Sequence, residues 1–125
     1  RHADLFLDTH PYNAHTTAAD ALLEGLPVLT CSGQAFPSRV AGSLLQAAGL
    51  PELVTTSHAD YEALALALAR DPARRAALRA KLQAQRAHSA LFDTAGFTRD
   101  VEAACIAMWR QSRLGDARDA LCAVP

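Results

Sequence analysis

The stretch ADLFLDTHPYNAHTTAADALLEGLPVLT, residues 3–30, decides the fold because it predicts a strand, a polar loop, a helix and a second strand. Residues 4–8 form a short apolar run that is typical of a strand. Pro11 and Asn13 favour a turn directly after it. Residues 28–30 predict the next strand. Two strands joined by a crossover helix indicate a parallel βαβ unit and therefore an α/β fold.

The helix between these strands is predicted to begin near His15. Thr17, with Asp20 three residues later, resembles a capping box in which Asp replaces the usual Glu. Gly25 predicts the end of the helix, and Pro27 prevents the chain from resuming it.

The start of this helix is the candidate site. Ligands of open parallel sheets collect at the carboxyl ends of the strands, and a helix N-terminus offers free N–H groups that suit phosphate. His15, Thr16 and Thr17 can each donate a hydrogen bond to a diphosphate. Asp20, about one turn further along, is an acceptor that suits the hydroxyl pair of a ribose. These residues predict a pocket for a nucleoside diphosphate.

A longer set of motifs carries a family resemblance. The segments DTHPYNAHTTAADALLEGLPVLT (residues 8–30) and SRVAGSLLQAAGL (residues 38–50) resemble the C-terminal half of O-GlcNAc-transferase-type (Spindly-type) glycosyltransferases, including bacterial-like homologues. The resemblance continues, in order and with compatible spacing, through ELV, DYEALALALARD, LFDTAGFTRDVE and the closing pair MW. It covers nearly the whole chain, so it is far more specific than any single short motif.

The resemblance implies a GT-B architecture, in which two Rossmann-like lobes face each other across a cleft. The chain would then be a Rossmann-like half of the C-terminal lobe, built from parallel βαβ units and followed by C-terminal helices. In the family motif the His-Thr-Thr triplet binds the diphosphate, and the Asp three residues after its last Thr binds the ribose. Those roles fall on His15, Thr16, Thr17 and Asp20.

The loop before the triplet supplies weaker candidates for contacts with the substrate, namely His10, Tyr12 and Asn13. The resemblance further implies that the donor is UDP-GlcNAc and that the sugar passes, with inversion, to a Ser or Thr hydroxyl of a protein or peptide acceptor. It implies that no metal or other cofactor is needed, because the triplet stabilises the departing diphosphate. Relatives that use GDP-fucose or UDP-glucose share the same lobe design.

No general base is evident in the sequence. The resemblance places the remaining catalytic groups in the upstream N-terminal lobe of the same protein, so we expect this segment alone to be inactive. The alternative interpretation is a non-catalytic nucleotide-binding or scaffold domain, since the same βα turn serves modules that bind phosphate without chemistry. The motifs G-x-G-x-x-G and G-x-S-x-G do not occur, which disfavours a dinucleotide fold and a hydrolase nucleophile elbow.

The middle of the chain predicts three more helices and one more strand. Ser38 is predicted to cap a helix that ends before Gly49. Residues 53–55 predict the strand. Ser57 and Asp71 are predicted to cap the next two helices, and Pro at the position after Asp71 strengthens the second of these caps.

The helix capped by Asp71 is predicted to be basic, and a loop and a last helix are predicted to follow it. The basic run between residues 74 and 86 predicts a solvated face, because no aromatic residues are interleaved for stacking on bases. Residues 91–97 predict a loop whose two aromatic residues are anchored on the core. From about Thr98 a last helix carries an apolar stripe typical of a docking face, formed by Val101, Ala104, Cys105, Met108 and Trp109. We expect residues 1–114 to form the nucleotide-sugar-binding lobe and residues 115–125 to fray.

Composition sets further bounds. The 125 residues suffice for one domain with one modest core, and a net charge of −1 gives no electrostatic footprint for nucleic acid. No apolar run approaches the ~20 residues needed to cross a membrane. Cys31, Cys105 and Cys122 form no CxxC motif, so we expect reduced thiols, the first two in the core, and a cytoplasmic location. Because the sequence opens at a strand and without Met, we expect a segment of a longer protein.

Overall fold

The computed structural model describes residues 2–86 and 88–114. The chain divides into two compact units, residues 1–92 and residues 93–125, which we call unit 1 and unit 2. Within the described residues, unit 1 carries the sheet and four α-helices, and unit 2 carries one long helix.

Three short parallel strands form the sheet of unit 1, namely β1 (Phe6–Leu7), β2 (Val28–Cys31) and β3 (Val54–Thr55). They lie in the order β1-β2-β3, with Phe6 paired to Val28 and Thr30 paired to Val54. Parallel neighbours need crossover connections, which the intervening helices provide. The predicted βαβ unit and α/β fold class are confirmed.

Unit 1 contains four α-helices among its described residues. The crossovers contain α1 (Thr16–Leu23) and α2 (Val40–Ala47), and the sheet is followed by α3 (His58–Arg70) and α4 (Pro72–Gln85). Short 3-10 turns at Phe36–Ser38 and Pro51–Leu53 flank α2. Gly25 and Gly49 follow α1 and α2 as predicted, with φ angles of 77° and 75° that favour glycine.

Two of the predicted helix caps are wrong. The N-cap of α1 is His15 and no side chain caps this helix, so Thr17 and Asp20 do not form a capping box. Ser38 closes a 3-10 turn, where its hydroxyl donates to the Ala35 carbonyl at 2.7 Å. In both cases the N-cap lies one or two residues from the position that the pattern indicates: His15 instead of Thr17, and Arg39 instead of Ser38.

The caps of α3 and α4 are confirmed. Ser57 accepts a hydrogen bond from the Asp60 N–H at 3.1 Å, and Asp71 accepts one from the Arg74 N–H at 2.9 Å. Each cap satisfies one of the backbone N–H groups that a helix leaves unpaired at its start.

Buried leucines from several elements form one core in unit 1. The fully buried ones that belong to it are Leu22, Leu45, Leu50, Leu53, Leu68 and Leu82. Burying a leucine side chain contributes roughly 1.5–3 kcal/mol, so these residues dominate the stability of the unit. The predicted stripe of Leu78 and Leu82 on α4 is buried, and Phe92 packs against the core.

The basic run on α4 binds groups of the protein itself. Arg75 donates to carbonyl oxygens in the last turn of α3, and Arg79 donates to the Ala3 carbonyl at 3.0 Å. Lys81 forms an ion pair with Glu52 at 2.6 Å. These contacts account for Arg75, Arg79 and Lys81 by folding alone. The remaining two, Arg74 and Arg86, are exposed, in agreement with the prediction of a solvated helix face.

Unit 2 differs from the prediction at its start. Its helix α5 (Thr94–Leu114) begins before Thr98, so Phe97 is helical and exposed rather than anchored in a core loop. Val101, Met108 and Trp109 on the same helix are also exposed.

The cysteine prediction holds for one residue and fails for another. Cys31 is buried at the end of β2, as predicted, but Cys105 is exposed on α5 and is not a core residue. Its position suits either a buried or an exposed helix face, because helical spacing does not show which face is covered. Cys122 and the predicted frayed tail, residues 115–125, lie outside the described residues. Among the described helices, none combines the length and the apolar character that crossing a membrane requires.

Candidate functional site

Three loops meet at one edge of the sheet. Because the strands are parallel, the loops that follow them leave from the same edge. The loop after β1 contacts the segments that follow the other two strands. Its His10 ring lies edge-on to His58 with ring centroids 4.7 Å apart, and its Asn13 N–H donates to the Pro37 carbonyl at 2.9 Å. The edge where a ligand is expected is therefore built jointly by all three loops.

Asp8, the first residue after β1, holds the loop of residues 9–14. The residue is only 6% exposed. Its Oδ1 accepts hydrogen bonds from the Thr9 N–H at 2.8 Å and the Ala14 N–H at 2.7 Å. Its Oδ2 accepts one from the Thr30 hydroxyl at 2.6 Å. Charge-assisted bonds of this kind compensate the burial of a carboxylate, so Asp8 ties both ends of the loop to β2.

Tyr61 on α3 holds the same residue from another side. Its hydroxyl donates to the Asp8 carbonyl oxygen at 2.8 Å. Burial, followed by the charges of Asp8 and Cys31, raises the pKa of Tyr61 above its ordinary value of 10. The phenol is therefore protonated at neutral pH and able to donate this hydrogen bond.

Two buried polar atoms beside this loop lack a hydrogen-bond partner in the part of the chain that the structure describes. They are Asn13 Oδ1 and His15 Nε2. The Asn13 amide nitrogen does have a partner, the Thr9 carbonyl at 2.8 Å. Leaving a buried polar atom unpaired costs about 1–3 kcal/mol, so a ligand that supplied the missing partner would recover that free energy.

Two aromatic rings flank the His15 imidazole. Tyr12 stacks on it, with centroids 4.9 Å apart and planes inclined by 18°, and Phe36 meets it edge-on at 6.3 Å. Tyr12 is 63% exposed and Phe36 is 75% exposed. The rings restrict the orientation of the imidazole while presenting aromatic surface to whatever binds at this edge.

The N-terminus of α1 follows His15 directly. No side chain caps it, and its first turn contains no acidic residue. Thr16 and Thr17 are exposed in that first turn, and Asp20 is exposed about one turn further along. Unpaired backbone N–H groups together with two hydroxyls form a surface that favours an anion.

The structure brings most of the predicted residues together. Tyr12 and His15 are in contact, and Thr16 and Thr17 continue the chain from His15. His10 packs edge-on against His58, the first residue of α3.

Sequence reasoning missed Asp8 and Tyr61. The available signal for Asp8 was its place directly after a strand, where polar side chains of a parallel sheet converge. No local pattern shows the contact between Tyr61 and Asp8, because 53 residues separate them.

In residues 2–86 and 88–114, no three or more His, Cys, Asp or Glu side chains are grouped so that they could hold a metal ion. The metal independence of the reaction stays a prediction.

Known proteins resemble this chain over most of its length. The sequence pattern of glycosyl transferase family 41 matches residues 1–101. A UDP-N-acetylglucosamine–peptide N-acetylglucosaminyltransferase of Caenorhabditis elegans is 39% identical over 113 residues, which are 90% of this chain and 10% of that protein. A probable enzyme of the same description, SPINDLY of Oryza sativa subsp. japonica, is 40% identical over 114 residues, which are 91% of this chain and 12% of that protein.

A solved structure agrees with both sequence matches. A mutant of the Thermobaculum terrenum O-GlcNAc transferase superposes with a TM-score of 0.79 and 38% identity, over 86% of this chain and 21% of that one. The chain thus spans about a tenth of the length of the curated relatives it matches, and about a fifth of the bacterial chain. Since the family pattern covers most of the sequence and a solved relative shares its fold, this chain belongs to glycosyl transferase family 41.

Proposed function

We propose that this chain is the donor-binding part of an enzyme that transfers GlcNAc from UDP-GlcNAc to Ser or Thr hydroxyls of proteins. The observation that carries the proposal is the uncapped N-terminus of α1, directly after His15, whose shielded Nε2 has no hydrogen-bond partner among the described residues. A helix start that lacks a side-chain cap has N–H groups left to bind an anion. The names of the relatives supply the substrate class, a UDP-sugar and a peptide.

The diphosphate binds at His15, Thr16 and Thr17. The two exposed threonines offer hydroxyl donors beside the helix N–H groups. A phosphate oxygen at His15 Nε2 gives that atom the partner it lacks within the described residues. Because Nε2 is shielded, binding shifts the exposed Tyr12 or Phe36 ring that flanks the imidazole.

The ribose binds at Asp20, whose exposed carboxylate accepts from the two ribose hydroxyls. His10, Tyr12 and Asn13 supply further contacts from the loop after β1. Residues 1–114 act as part of the donor lobe, and the protein works in the cytoplasm.

The reaction places negative charge on the leaving group. The acceptor oxygen bonds to the anomeric carbon from the opposite face as the bond from that carbon to the β-phosphate oxygen breaks, so configuration inverts. His15, Thr16, Thr17 and the α1 N-terminus stabilise the charge that gathers on the diphosphate, which is the task a metal ion performs elsewhere. The base that takes the acceptor proton lies in another part of the intact protein.

A calorimetric titration of UDP and then GDP into the intact protein, with and without EDTA, tests this proposal. We expect UDP to bind more tightly than GDP, and EDTA to change neither affinity. The variant Thr16→Ala/Thr17→Ala should lose most of the UDP affinity. Asp71→Ala is the control, since it removes a carboxylate cap from another helix start and leaves α1 intact.

Three results would change the assignment. A preference for GDP would keep the site and exchange the donor for a fucose-type sugar. UDP binding without any transfer to a peptide acceptor would favour the non-catalytic alternative. Loss of UDP binding in Asp71→Ala to the same extent as in the threonine variant would show that destabilisation, not contact, lowers the affinity.

A further inference from the structure

A buried carboxylate holds the loop that leads into the proposed diphosphate site. Asp8 is almost fully buried, and none of the ion pairs among the described residues includes it. Its three carboxylate hydrogen bonds come from uncharged donors. A buried carboxyl group is costly unless it is hydrogen-bonded, so these three bonds fix Asp8 and the groups that donate to it.

The two carboxylate oxygens of Asp8 have different partners. Oδ2 accepts from the Thr30 hydroxyl and so joins the end of β1 to the adjacent strand β2. Oδ1 accepts from the Ala14 N–H across the loop, six residues along the chain. The first bond connects strands, whereas the second closes the loop immediately before His15.

The loop is fixed at other points as well. Asn13 N–H reaches the Pro37 carbonyl, its side-chain amide reaches the Thr9 carbonyl, and the Thr9 hydroxyl donates to the Tyr12 carbonyl at 2.7 Å. Of all these bonds, the one from Ala14 to Asp8 acts on the residue that adjoins His15.

We propose that Asp8 is a positioning residue for the diphosphate site, because its Oδ1 sets the backbone at Ala14 and thereby the placement of His15 and of the first turn of α1. The inference rests on the proposed function, in which that turn binds the donor. Asp8 itself touches no substrate, since its carboxylate is buried and occupied by Thr9, Ala14 and Thr30.

The test compares Asp8→Ala and Asp8→Asn with two matched controls in the intact protein. Thr30→Val removes the strand-side bond to Oδ2, and Tyr61→Phe removes the bond to the Asp8 carbonyl, while both leave the Ala14 bond in place. Three quantities are measured for each variant: the thermal midpoint, the dissociation constant for UDP, and the amide hydrogen-exchange rate of residues 9–15. The last of these reports the loop without any ligand.

We expect Asp8→Ala to weaken UDP binding at least tenfold and to speed exchange at Ala14 and His15. Thr30→Val and Tyr61→Phe should lower the thermal midpoint but leave UDP affinity within about twofold of the wild type. The UDP affinity of Asp8→Asn should lie between those of the wild type and Asp8→Ala, since its amide oxygen can still accept from Ala14 but without the added strength of a charge. If Asp8→Ala does not fold, Asp8→Asn against Thr30→Val decides the question.

Equal losses of UDP affinity in the Asp8 variants and in the controls, at matched thermal midpoints, would overturn the positioning role and leave Asp8 a structural residue. Unchanged exchange at Ala14 in the Asp8 variants would overturn it too. Failure of the proposed function looks different, because the wild-type protein itself would not bind UDP while the exchange rates still responded to Asp8.

Discussion

The helix starts of unit 1 fall into two kinds. α3 and α4 begin with the side-chain caps Ser57 and Asp71, each of which accepts from a backbone N–H three residues along. α1 begins at His15 with no side-chain cap. The N-terminus of α2 also lacks such a cap, and a 3-10 turn leads into it.

This difference separates the two capped helix starts, which serve the fold, from the uncapped ones, which leave backbone N–H groups open to a ligand. A cap makes a helix start self-sufficient, and its loss costs stability. An uncapped start keeps its partial positive charge and its N–H groups available. The surroundings distinguish α1 from α2, because the exposed rings of Tyr12 and Phe36 flank His15, and because two buried atoms there, Asn13 Oδ1 and His15 Nε2, have no partner among the described residues.

The largest effect is expected from His15→Ala, which removes the imidazole at the open helix start. In the intact protein we expect turnover to fall by a factor that corresponds to roughly 2–4 kcal/mol, by analogy with the loss of one oxyanion-hole donor. The affinity for UDP should also fall, because His15 contacts the diphosphate in the bound donor as well as in the transition state. Steady-state kinetics with a peptide acceptor and calorimetry with UDP provide both values.

The capped helix starts give the control for that experiment. Asp71→Ala should leave turnover unchanged at a temperature well below the unfolding midpoint. Full turnover and full nucleotide affinity in His15→Ala would show that the open start of α1 does not bind the diphosphate.

The second prediction concerns the free energy of unfolding, which should depend on the capped helix starts and not on the start of α1. Ser57→Ala and Asp71→Ala should each lower the free energy of unfolding by about 1 kcal/mol, since each deletes an N-cap acceptor. Thr17→Ala should leave it nearly unchanged, because Thr17 caps nothing and is exposed. Urea denaturation of the three variants measures this. A loss in Thr17→Ala as large as in the cap variants would remove the distinction between the two kinds of helix start.

The same contrast shows what could be predicted from the sequence. Asp71 followed by Pro72, and the glycines Gly25 and Gly49, are local signals, and the structure uses them as predicted. The strand and helix order also followed from local patterns. Such signals succeed because the interaction that defines them spans only a few residues.

The misreadings arose where the deciding contact is distant or where one pattern fits two structures. The Thr17 and Asp20 spacing satisfied a capping box, yet the chain entered the helix earlier, at His15. Asp8 looked like the polar end of a strand, but its partners Thr30 and Tyr61 lie 22 and 53 residues away. Spacing within one segment carries no information about such partners, so the support beneath the site appears only in the folded chain.

The third prediction concerns Tyr61, which joins the capped helix α3 to the open site. Tyr61→Phe should lower the free energy of unfolding at neutral pH by about 0.5–1.5 kcal/mol, the usual net value of one hydrogen bond. The folded protein raises the pKa of Tyr61, so the protonated phenol stabilises the fold below pH 10 and this contribution is lost as the pH rises through the folded-state pKa. Stability curves of wild type and variant should therefore converge above pH 10. A difference that stayed constant into strong alkali would mean that packing, not the hydrogen bond, accounts for the loss.

The smallest effect is expected at the ion pair of Glu52 and Lys81, which lies in the region whose role is folding. Burial raises the pKa of Glu52, but the hydrogen bond from Lys81 and the charges of Lys81 and Arg74 outweigh it, so the pKa lies below 4.5. A depressed carboxyl pKa stabilises the fold above pH 4.5, and that contribution is lost as the pH falls through the folded-state pKa.

Both side chains are more than a third exposed, so solvent screens the pair and Lys81→Met should cost only about 0.2–1 kcal/mol at pH 7. Added salt should shrink the difference between wild type and variant, and UDP affinity should not change. A fall in UDP affinity in Lys81→Met would show that the contacts of α4 affect the start of α1. The folding contacts and the binding site would then not be independent of each other.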